Sequence, residues 1–360
     1  MKKKIAVLAG DGIGPEVMKE AVKVLNKVTE VFGHEFETVE ALIGGAAWDE
    51  HKDHFPESTK RICEESDALL FGSVGGPIDL QMEEKWKDCE KKSILGLREY
   101  FKFNVNLRPA KVYPGLESFC VLRSDIVAKG IDIMCVREII GGIYFSEHKT
   151  KKVKGKRIAT DLMKYDEDQI ASVARKAFEC AMKRGKLVHS IDKANVLDCS
   201  RLWRDVVTKV SKDFPECELR HMLVDNCCAQ LVRSPYEFDV ILAPNMFGDI
   251  ISDEASVFAG SLGMLPSASI SEDGFAMYEP IGGSAPDIEG KGIANPIAQI
   301  LSVAMMLKYS FNMLMERDAI INAVETVLSK GYRTADIAGD LESVSTSEMG
   351  DLIVKFFSEF

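Results

Sequence analysis

The sequence predicts an α/β protein built from two domains. Short apolar runs alternate with amphipathic stretches along most of the chain, which is the pattern of strands joined by helices. The chain has 360 residues, and single hydrophobic cores usually stop growing at roughly 250–300 residues. A hydrophobic fraction of 46% with 28% charged residues is ordinary for a globular protein.

The elements follow in chain order from the spacing of apolar residues. Buried strands are predicted at 5–9, 68–71, 131–136 and 240–243. Helices are predicted at 16–32, 167–184, 201–213 and 298–315, the last of them apolar enough to lie in the core. Residues 141–156 break the pattern with glycines, an aromatic pair and many lysines, which predicts an exposed hairpin or arm between two larger units.

Charge and cysteine content exclude several classes of protein. Lys plus Arg is 45 and Asp plus Glu is 56, so the net charge of −11 repels phosphate backbones and argues against nucleic acid as a partner. No apolar run approaches the length of a membrane span, and Asp11 interrupts the apolar run at the amino terminus that would otherwise resemble a signal peptide. Nine cysteines without a C-x-x-C pair suit reduced thiols and a cytoplasmic location.

The glycine-rich segment 10–15 joins the first strand to the first helix and invites comparison with a dinucleotide-binding fingerprint. Pro15 stands where the third glycine would be needed, and no suitable acidic residue follows about twenty positions on. Taken by itself, the segment therefore predicts a structural turn.

Two aspartates, Asp249 and Asp253, are four positions apart and would lie on one face of a helix. Their mutual repulsion favours a cation between them, and a small set of carboxylate oxygens is what Mg²⁺ or Mn²⁺ uses when substrate supplies the other ligands. The alternative is a solvated acidic helix start, which the helix dipole also favours.

Three arginines, Arg98, Arg108 and Arg137, lie within or beside apolar sequence and would suit bidentate binding of a dicarboxylate. Each alone could equally be a structural ion pair. Lys193 lies in an apolar run where burial would suit it for proton transfer, and Tyr144 follows two glycines. A solvent-reaching lysine and a core tyrosine are the alternatives.

Eight ordered segments together resemble the β-decarboxylating dehydrogenases, the family that includes isopropylmalate, isocitrate, homoisocitrate and tartrate dehydrogenases, over nearly the whole chain. The segments are GDGIGPEV at 10–17, LFGSVGGP at 70–77, NLRPAK at 106–111, VREIIGGIYF at 136–145, DKANVL at 192–197, FGDIISDEA at 247–255, GSLGMLPSAS at 260–269 and GSAPDIEGKGIANP at 283–296.

This resemblance implies a two-domain isopropylmalate dehydrogenase-like α/β fold with mixed sheets and a non-Rossmann cofactor site. The first domain would comprise 1–104 and 259–360 on the cofactor side, and the second would comprise 105–258. The arm at about 141–157 would knit a homodimer with shared active sites.

The resemblance also implies the chemistry, in which hydride passes to NAD and a β-carboxylate leaves as CO₂. Arg98, Arg108 and Arg137 would bind the malate carboxylates. Asp225, Asp249 and Asp253 would hold Mg²⁺ or Mn²⁺ and, through it, the substrate. Tyr144 would protonate the enolate carbon and Lys193 would act as general base, with Lys193 and Asp225 supplied by the second subunit.

Cofactor and substrate specificity follow from further matches. The cofactor would contact Ser73, Gly75, Gly76, Glu279, Gly283, Ser284, Ala285, Pro286, Asp287, Ile288 and Asn295. Asp287 would bind the ribose hydroxyls and repel a 2′-phosphate, which favours NAD over NADP. Ile94, Leu95 and Val196 would form an apolar wall for an isopropyl group.

The resemblance therefore implies that 3-isopropylmalate is converted to 4-methyl-2-oxopentanoate in leucine biosynthesis. A tartrate or malate-type dehydrogenase is the alternative enzyme, and a metal-binding or assembly protein on the same scaffold is the alternative class. Gly282 and Ser93 depart from common family residues.

Overall fold

A computed structural model describes residues 1–358, which form two compact units. One unit comprises Met1–Phe101, Val112–Val121 and the chain from Ala259 onward. The other comprises Lys102–Lys111 and Leu122–Phe258.

Strands and helices alternate along both units. The strands are β1 (Lys2–Gly10), β2 (Glu35–Glu40), β3 (Ala68–Ser73), β4 (Phe103–Lys111), β5 (Asp132–Glu138), β6 (His148–Val153), β7 (Lys156–Asp161), β8 (Leu187–Asp192), β9 (Glu218–Leu223), β10 (Val240–Ala243), β11 (Pro266–Ser271) and β12 (Ala276–Pro280). The helices are α1 (Gly14–Phe32), α2 (Gly44–His51), α3 (Glu57–Glu64), α4 (Gly96–Tyr100), α5 (Ser124–Val127), α6 (Glu167–Met182), α7 (Asp198–Ser211), α8 (Val224–Arg233), α9 (Asn245–Ser256), α10 (Ile297–Tyr309), α11 (Leu314–Ser329) and α12 (Thr346–Lys355).

The strands of the first unit run in the order β2-β1-β3-β12-β11. All of these neighbours are parallel except β11 and β12, which form an antiparallel pair. Every residue of β3 is buried, as its unbroken run of apolar and small residues predicts. The mixed α/β class predicted from the sequence is confirmed in this unit.

The apolar segment predicted as one helix over 298–315 is divided in two. The first eleven residues of α10 are all buried, which confirms a core helix. The helix ends at Tyr309 because Asn312 takes a left-handed conformation, with φ of +55°, and the backbone N–H of Met313 turns back to the carbonyl of Leu307 at 2.8 Å. Periodicity carries no signal for such a break, since apolar residues continue on both sides of it.

The second unit orders its strands β4-β5-β10-β8-β9. In this strand order β4 and β5 are antiparallel, and β5, β10, β8 and β9 run parallel to one another. The carboxyl ends of parallel strands meet at one edge of a sheet, where ligands of α/β proteins usually bind. Arg137 is the penultimate residue of β5 at this edge, Asn245 is the second residue after β10, and Lys193 directly follows β8.

Strands β6 and β7 form an exposed hairpin, as expected for this stretch of sequence. All twelve of their residues are exposed, and the turn between them places Lys154 and Gly155 at positive φ, as a two-residue hairpin turn requires. The hairpin begins later than the predicted arm, because Gly142–Tyr144 form a short 3₁₀ turn before it. In the part of the chain described, no helix is both long and apolar enough to cross a membrane.

Candidate active site

Two arginines and two aspartates of the second unit form one charged cluster. Helix α9 carries Asp249 and Asp253 one turn apart, as the spacing predicts. Arg137 forms a short ion pair with Asp249, and Nη1 of Arg108 lies 2.9 Å from Asp253 and 3.9 Å from Asp249. The arginine side chains are 7% and 13% exposed, so their charges are largely removed from water and offset the repulsion between the carboxylates.

Tyr144 lies at the same cluster. Its hydroxyl donates to Oδ2 of Asp249 at 3.2 Å, and its ring centre is 6.0 Å from the guanidinium carbon of Arg137. Partial burial and the neighbouring Asp249 carboxylate raise the pKa of Tyr144 above its usual value of 10.0. The phenol therefore keeps its proton at neutral pH, while its 45% exposure leaves it accessible to a ligand and to solvent.

Neutral side chains that the sequence analysis did not single out hold these arginines in place. Nε of Arg108 donates to Asn106 at 2.7 Å, and its Nη1 donates to Ser252 at 3.0 Å. Asn245 accepts from Nε and Nη2 of Arg137 at 3.2 and 2.8 Å. Asn106 precedes Arg108 by two positions in β4, and residues two apart in a strand lie on the same face. This spacing was the one feature of the sequence that could have indicated their contact.

Lys193 and Asp225 form a separate ion pair at the carboxyl edge of the same sheet. Lys193 follows β8 and Asp225 is in the first turn of α8, and the ammonium holds the pKa of Asp225 below its usual value. Across residues 1–358, no group of three or more His, Cys, Asp or Glu residues is arranged to hold a metal ion. Within one chain, Asp225 therefore does not join Asp249 and Asp253 in a three-carboxylate cluster.

In the first unit, Asp11 connects the segments around the predicted cofactor turn at 73–76. Its carboxylate accepts from the backbone N–H groups of Gly45 and Ala46 at 2.8 Å each and of Gly75 at 3.0 Å. Ser73 exchanges hydrogen bonds with the Asp11 backbone, at 2.7 and 2.8 Å. Burial raises the pKa of Asp11, and the three amide donors oppose that rise. A side chain on Gly76 would collide with the ring of Trp86.

The second predicted cofactor segment, 283–288, is held by the glycine-rich segment 10–15, to which Asp11 belongs. The backbone N–H of Ile13 donates to the carbonyl of Ser284 at 2.8 Å, and a Cβ on Gly12 would lie only 2.0 Å from that oxygen. Ala285 takes a left-handed φ of +41°, Gly283 faces open space and Asp287 is exposed. The remaining predicted members of the segment, Pro286 and Ile288, are half-buried.

Asn295 and Glu279, the other predicted cofactor residues, are both anchored. The Asn295 amide donates to Asp336 at 3.1 Å. Glu279 is 4% exposed and accepts from Arg98 at 2.9 Å, so this predicted substrate arginine is also charge-compensated. The hydroxyl of Ser269 lies 3.5 Å from the same Glu279 oxygen.

The predicted apolar wall consists of incompletely buried side chains. Ile94 is half-buried, Leu95 is 38% exposed and Val196 is 61% exposed. Ser93, which departs from the family pattern, is buried and donates to the carbonyl of Cys89 at 2.6 Å, so its hydroxyl serves the local turn. Gly282, the other departure, adds no side chain beside the cofactor segment.

The charged cluster lies beside the carboxyl ends of β5 and β10, which is where ligands of α/β proteins usually bind. The chain belongs to the isocitrate/isopropylmalate dehydrogenase family, whose family model matches residues 4–353. Members of this family are oxidative decarboxylating dehydrogenases, so the predicted enzyme class is confirmed.

Individual relatives are similar over nearly their whole length. The chain is 56% identical to the 3-isopropylmalate dehydrogenase of Haemophilus influenzae (strain 86-028NP) over 358 residues, 98% of each chain. It is 53% identical to the 3-isopropylmalate dehydrogenase of Mannheimia succiniciproducens over 356 residues, 97% of this chain and 98% of that one.

Solved structures share the fold. Isocitrate dehydrogenase from Methylococcus capsulatus superposes with a TM-score of 0.85 at 30% identity, covering 99% of both chains. A beta-decarboxylating dehydrogenase from Thermococcus kodakarensis gives a TM-score of 0.80 at 35% identity, covering 99% of this chain and 96% of that one. The predicted resemblance and fold class are both confirmed.

Proposed function

We propose that the protein is an NAD-dependent enzyme that oxidises and decarboxylates 3-isopropylmalate to 4-methyl-2-oxopentanoate in leucine biosynthesis. The observation that carries this proposal is the set of relatives, 51–56% identical over 97–99% of the chain, that are named for that substrate. The charged cluster of the second unit supports it, because its donors suit a substrate that carries two carboxylates and a hydroxyl.

Substrate carboxylates would be bound by Arg98, Arg108 and Arg137. The three guanidinium groups are already desolvated and oriented by neighbouring side chains, so a bound carboxylate gains charge-assisted hydrogen bonds without the cost of ordering long side chains. We expect this pre-organisation to favour binding even though each arginine also has a protein carboxylate beside it.

Asp249 and Asp253 fit a divalent cation of the Mg²⁺ or Mn²⁺ type. Their side chains are 32% and 67% exposed, they offer hard oxygen donors, and such cations commonly use one or two carboxylates and leave positions to substrate. Asp225 of the partner subunit would supply the third carboxylate in a homodimer. When bound, the cation supplies Lewis-acid polarisation of the substrate oxygens.

The first unit fits NAD at the segments 73–76 and 283–288. Gly283 faces open space and the exposed Asp287 presents a carboxylate that suits ribose hydroxyls and repels a 2′-phosphate. When bound, NAD supplies the hydride acceptor. Glu279 and Asn295, each held by a hydrogen bond within the unit, would also contact the cofactor.

Two groups of the chain would handle protons. Lys193, from the partner subunit, would accept the proton of the substrate hydroxyl as hydride leaves the carbon that carries this hydroxyl. After CO₂ departs, the phenol of Tyr144 would deliver its proton to the enolate carbon, a role for which its raised pKa keeps it protonated. Its exposed position allows solvent to restore that proton.

Specificity for the branched substrate would come from the incompletely buried apolar side chains Ile94, Leu95 and Val196. Covering them with an isopropyl group is worth about 1.5–3 kcal/mol. A third carboxylate in that place would be unpaired and would oppose binding. This arrangement favours 3-isopropylmalate over isocitrate.

We also propose that the enzyme is cytoplasmic and that its two domains have the boundaries inferred from the sequence. No disulfide joins any of the nine cysteines, all of which lie within residues 1–358, and this suits a reducing compartment. The exposed hairpin β6–β7 is proposed as the dimer arm.

The proposal is tested by following NAD⁺ reduction with 3-isopropylmalate, isocitrate and tartrate, each with Mg²⁺ and after chelation. We expect turnover with 3-isopropylmalate and metal, and at least tenfold lower kcat/KM with the other two acids or with NADP⁺. Higher kcat/KM with tartrate or isocitrate would overturn the substrate assignment, and activity that persists unchanged after chelation would overturn the metal assignment.

Sharing of sites between subunits is tested by mixing two variants that are each defective in forming 4-methyl-2-oxopentanoate, and by measuring that product. If Tyr144→Phe and Lys193→Ala homodimers exchange subunits, each heterodimer has one intact site, and activity should return to about one quarter of the wild-type value. No recovery, with exchange verified by mass spectrometry of tagged chains, would show that each site is built from a single chain.

A further inference from the structure

Asn245 is a buried neighbour of the charged cluster and binds Arg137 through both its side chain and its backbone. It is 1% exposed and is the first residue of α9. Its side-chain oxygen accepts from Nε and Nη2 of Arg137, and its backbone carbonyl accepts from Nε at 3.1 Å. These contacts determine both the position and the plane of the guanidinium group.

The opposite end of the same amide holds the turn that leads to Tyr144. Nδ2 of Asn245 donates to the carbonyl of Gly141 at 3.0 Å, and the short helical turn Gly142–Tyr144 follows directly. One buried side chain therefore connects a predicted substrate-binding arginine to the backbone that carries the predicted proton donor.

Tyr165 holds Asn245 in turn. The backbone N–H of Asn245 donates to the Tyr165 hydroxyl at 2.9 Å. The side chain of Tyr165 fills the space beside Gly141 and Gly142. An added Cβ on Gly141 would lie 2.9 Å from its ring, and one on Gly142 would lie 2.3 Å from its hydroxyl oxygen. Burial and the neighbouring Glu138 carboxylate raise the pKa of Tyr165, so this phenol stays protonated.

We propose that Asn245 is a positioning residue for the reaction, which sets the placement of Arg137 and Tyr144 relative to each other. This inference rests on the proposed function, in which the first binds substrate and the second donates a proton to it. A displacement of about 1 Å in a reacting group can cost about 10²-fold in rate. The two ends of the amide should therefore affect different kinetic constants.

Two substitutions separate the two ends. Asn245→Asp has the same shape and keeps an acceptor for Arg137, but it has no donor for Gly141. We expect KM for 3-isopropylmalate within about threefold of wild type and kcat reduced about tenfold. Asn245→Ala removes both contacts, and we expect KM to rise about tenfold and kcat to fall about 10²-fold, with KM for NAD⁺ within about twofold.

Asn104→Ala is the matched control. The Asn104 amide donates to Ser172 at 2.7 Å in the same unit, and neither residue is a predicted site residue. It should lower the melting temperature measured by circular dichroism without changing kcat or KM more than about twofold. Tyr165→Phe keeps the ring and removes the acceptor for Asn245, so it should lower kcat about threefold to tenfold and remains informative if Asn245→Ala does not fold.

The inference is overturned if Asn245→Asp changes only the melting temperature, as the control does, or if it raises KM as much as Asn245→Ala. A crystal structure of Asn245→Asp gives a readout independent of activity, in which Arg137 should stay in place and residues 142–144 should shift. An unshifted turn would overturn the inference. A wild-type enzyme that does not oxidise 3-isopropylmalate would overturn the proposed function alone.

Discussion

Gly12→Ala should weaken NAD binding because its new methyl group would occupy the space of the Ser284 carbonyl. An added Cβ would lie 2.0 Å from that oxygen, and real contacts of this kind are essentially never below 3.0 Å, so the two segments must separate by about 1 Å. The hydrogen bond from Ile13 to Ser284, at 2.8 Å, would then be strained or broken.

The expected cost has two parts. The left-handed φ of +59° at Gly12 costs about 1–2 kcal/mol for any residue with a Cβ. Breaking a buried hydrogen bond adds about 1–3 kcal/mol, giving about 2–5 kcal/mol in total. Because the displaced Ser284 belongs to the proposed cofactor segment, we expect KM for NAD⁺ to rise about tenfold or more and KM for 3-isopropylmalate to change little.

Gly33→Ala separates contact from backbone strain. Gly33 ends α1 with a similar φ of +69°, but nothing lies within 4 Å of its added Cβ. It should cost only the roughly 1–2 kcal/mol of the left-handed conformation and leave KM for NAD⁺ unchanged. The measurements are urea unfolding midpoints and initial rates. Equal losses of stability and equal KM values for the two variants would refute the reasoning.

Three further predictions concern the chemistry, the substrate and pH. Tyr144→Phe should lower turnover strongly, but oxidation of the substrate should survive better than completed decarboxylation, so the oxidised oxo-acid intermediate should be released. If mass spectrometry finds the wild-type ratio of this oxo-acid to the final product, Tyr144 is not the proton donor. Leu95→Glu should reduce kcat/KM for 3-isopropylmalate more than tenfold and for malate less, since burying the charge costs about 2 kcal/mol or more; equal proportional losses would remove Leu95 from the substrate wall. His189 is buried against Phe238, and burial lowers its pKa from 6.5 to about 4. As pH falls, the unfolded chain therefore binds the proton at His189 before the folded chain does, and up to about 3 kcal/mol of stability should be lost between pH 6.5 and 4. The denaturant midpoints of wild type and His189→Leu should diverge across this range. Parallel curves would contradict the predicted role of His189.

The local elements were predictable because their signals are short-range. Strand β10 has the predicted bounds, since four consecutive apolar residues can only be satisfied by burial on both faces. The shared helix face of Asp249 and Asp253 depends only on the helical period of α9. The residues of the eight segments and their order along the chain were enough to identify the family, which the match to the family model confirmed.

Tertiary structure alone decided which distant groups meet. Asn245 reaches Arg137 across 108 positions of sequence, and Asp11 reaches Gly45 and Gly75 across 34 and 64 positions. Such contacts depend on how strands order within a sheet and leave no periodic trace in the chain. The same holds for Asp225, which the folded chain pairs with Lys193 instead of adding it to the other aspartates. Apolar periodicity depends on residues that are neighbours in sequence. A buried hydrogen-bond network depends instead on strand order, which brings distant polar groups within about 3 Å of one another.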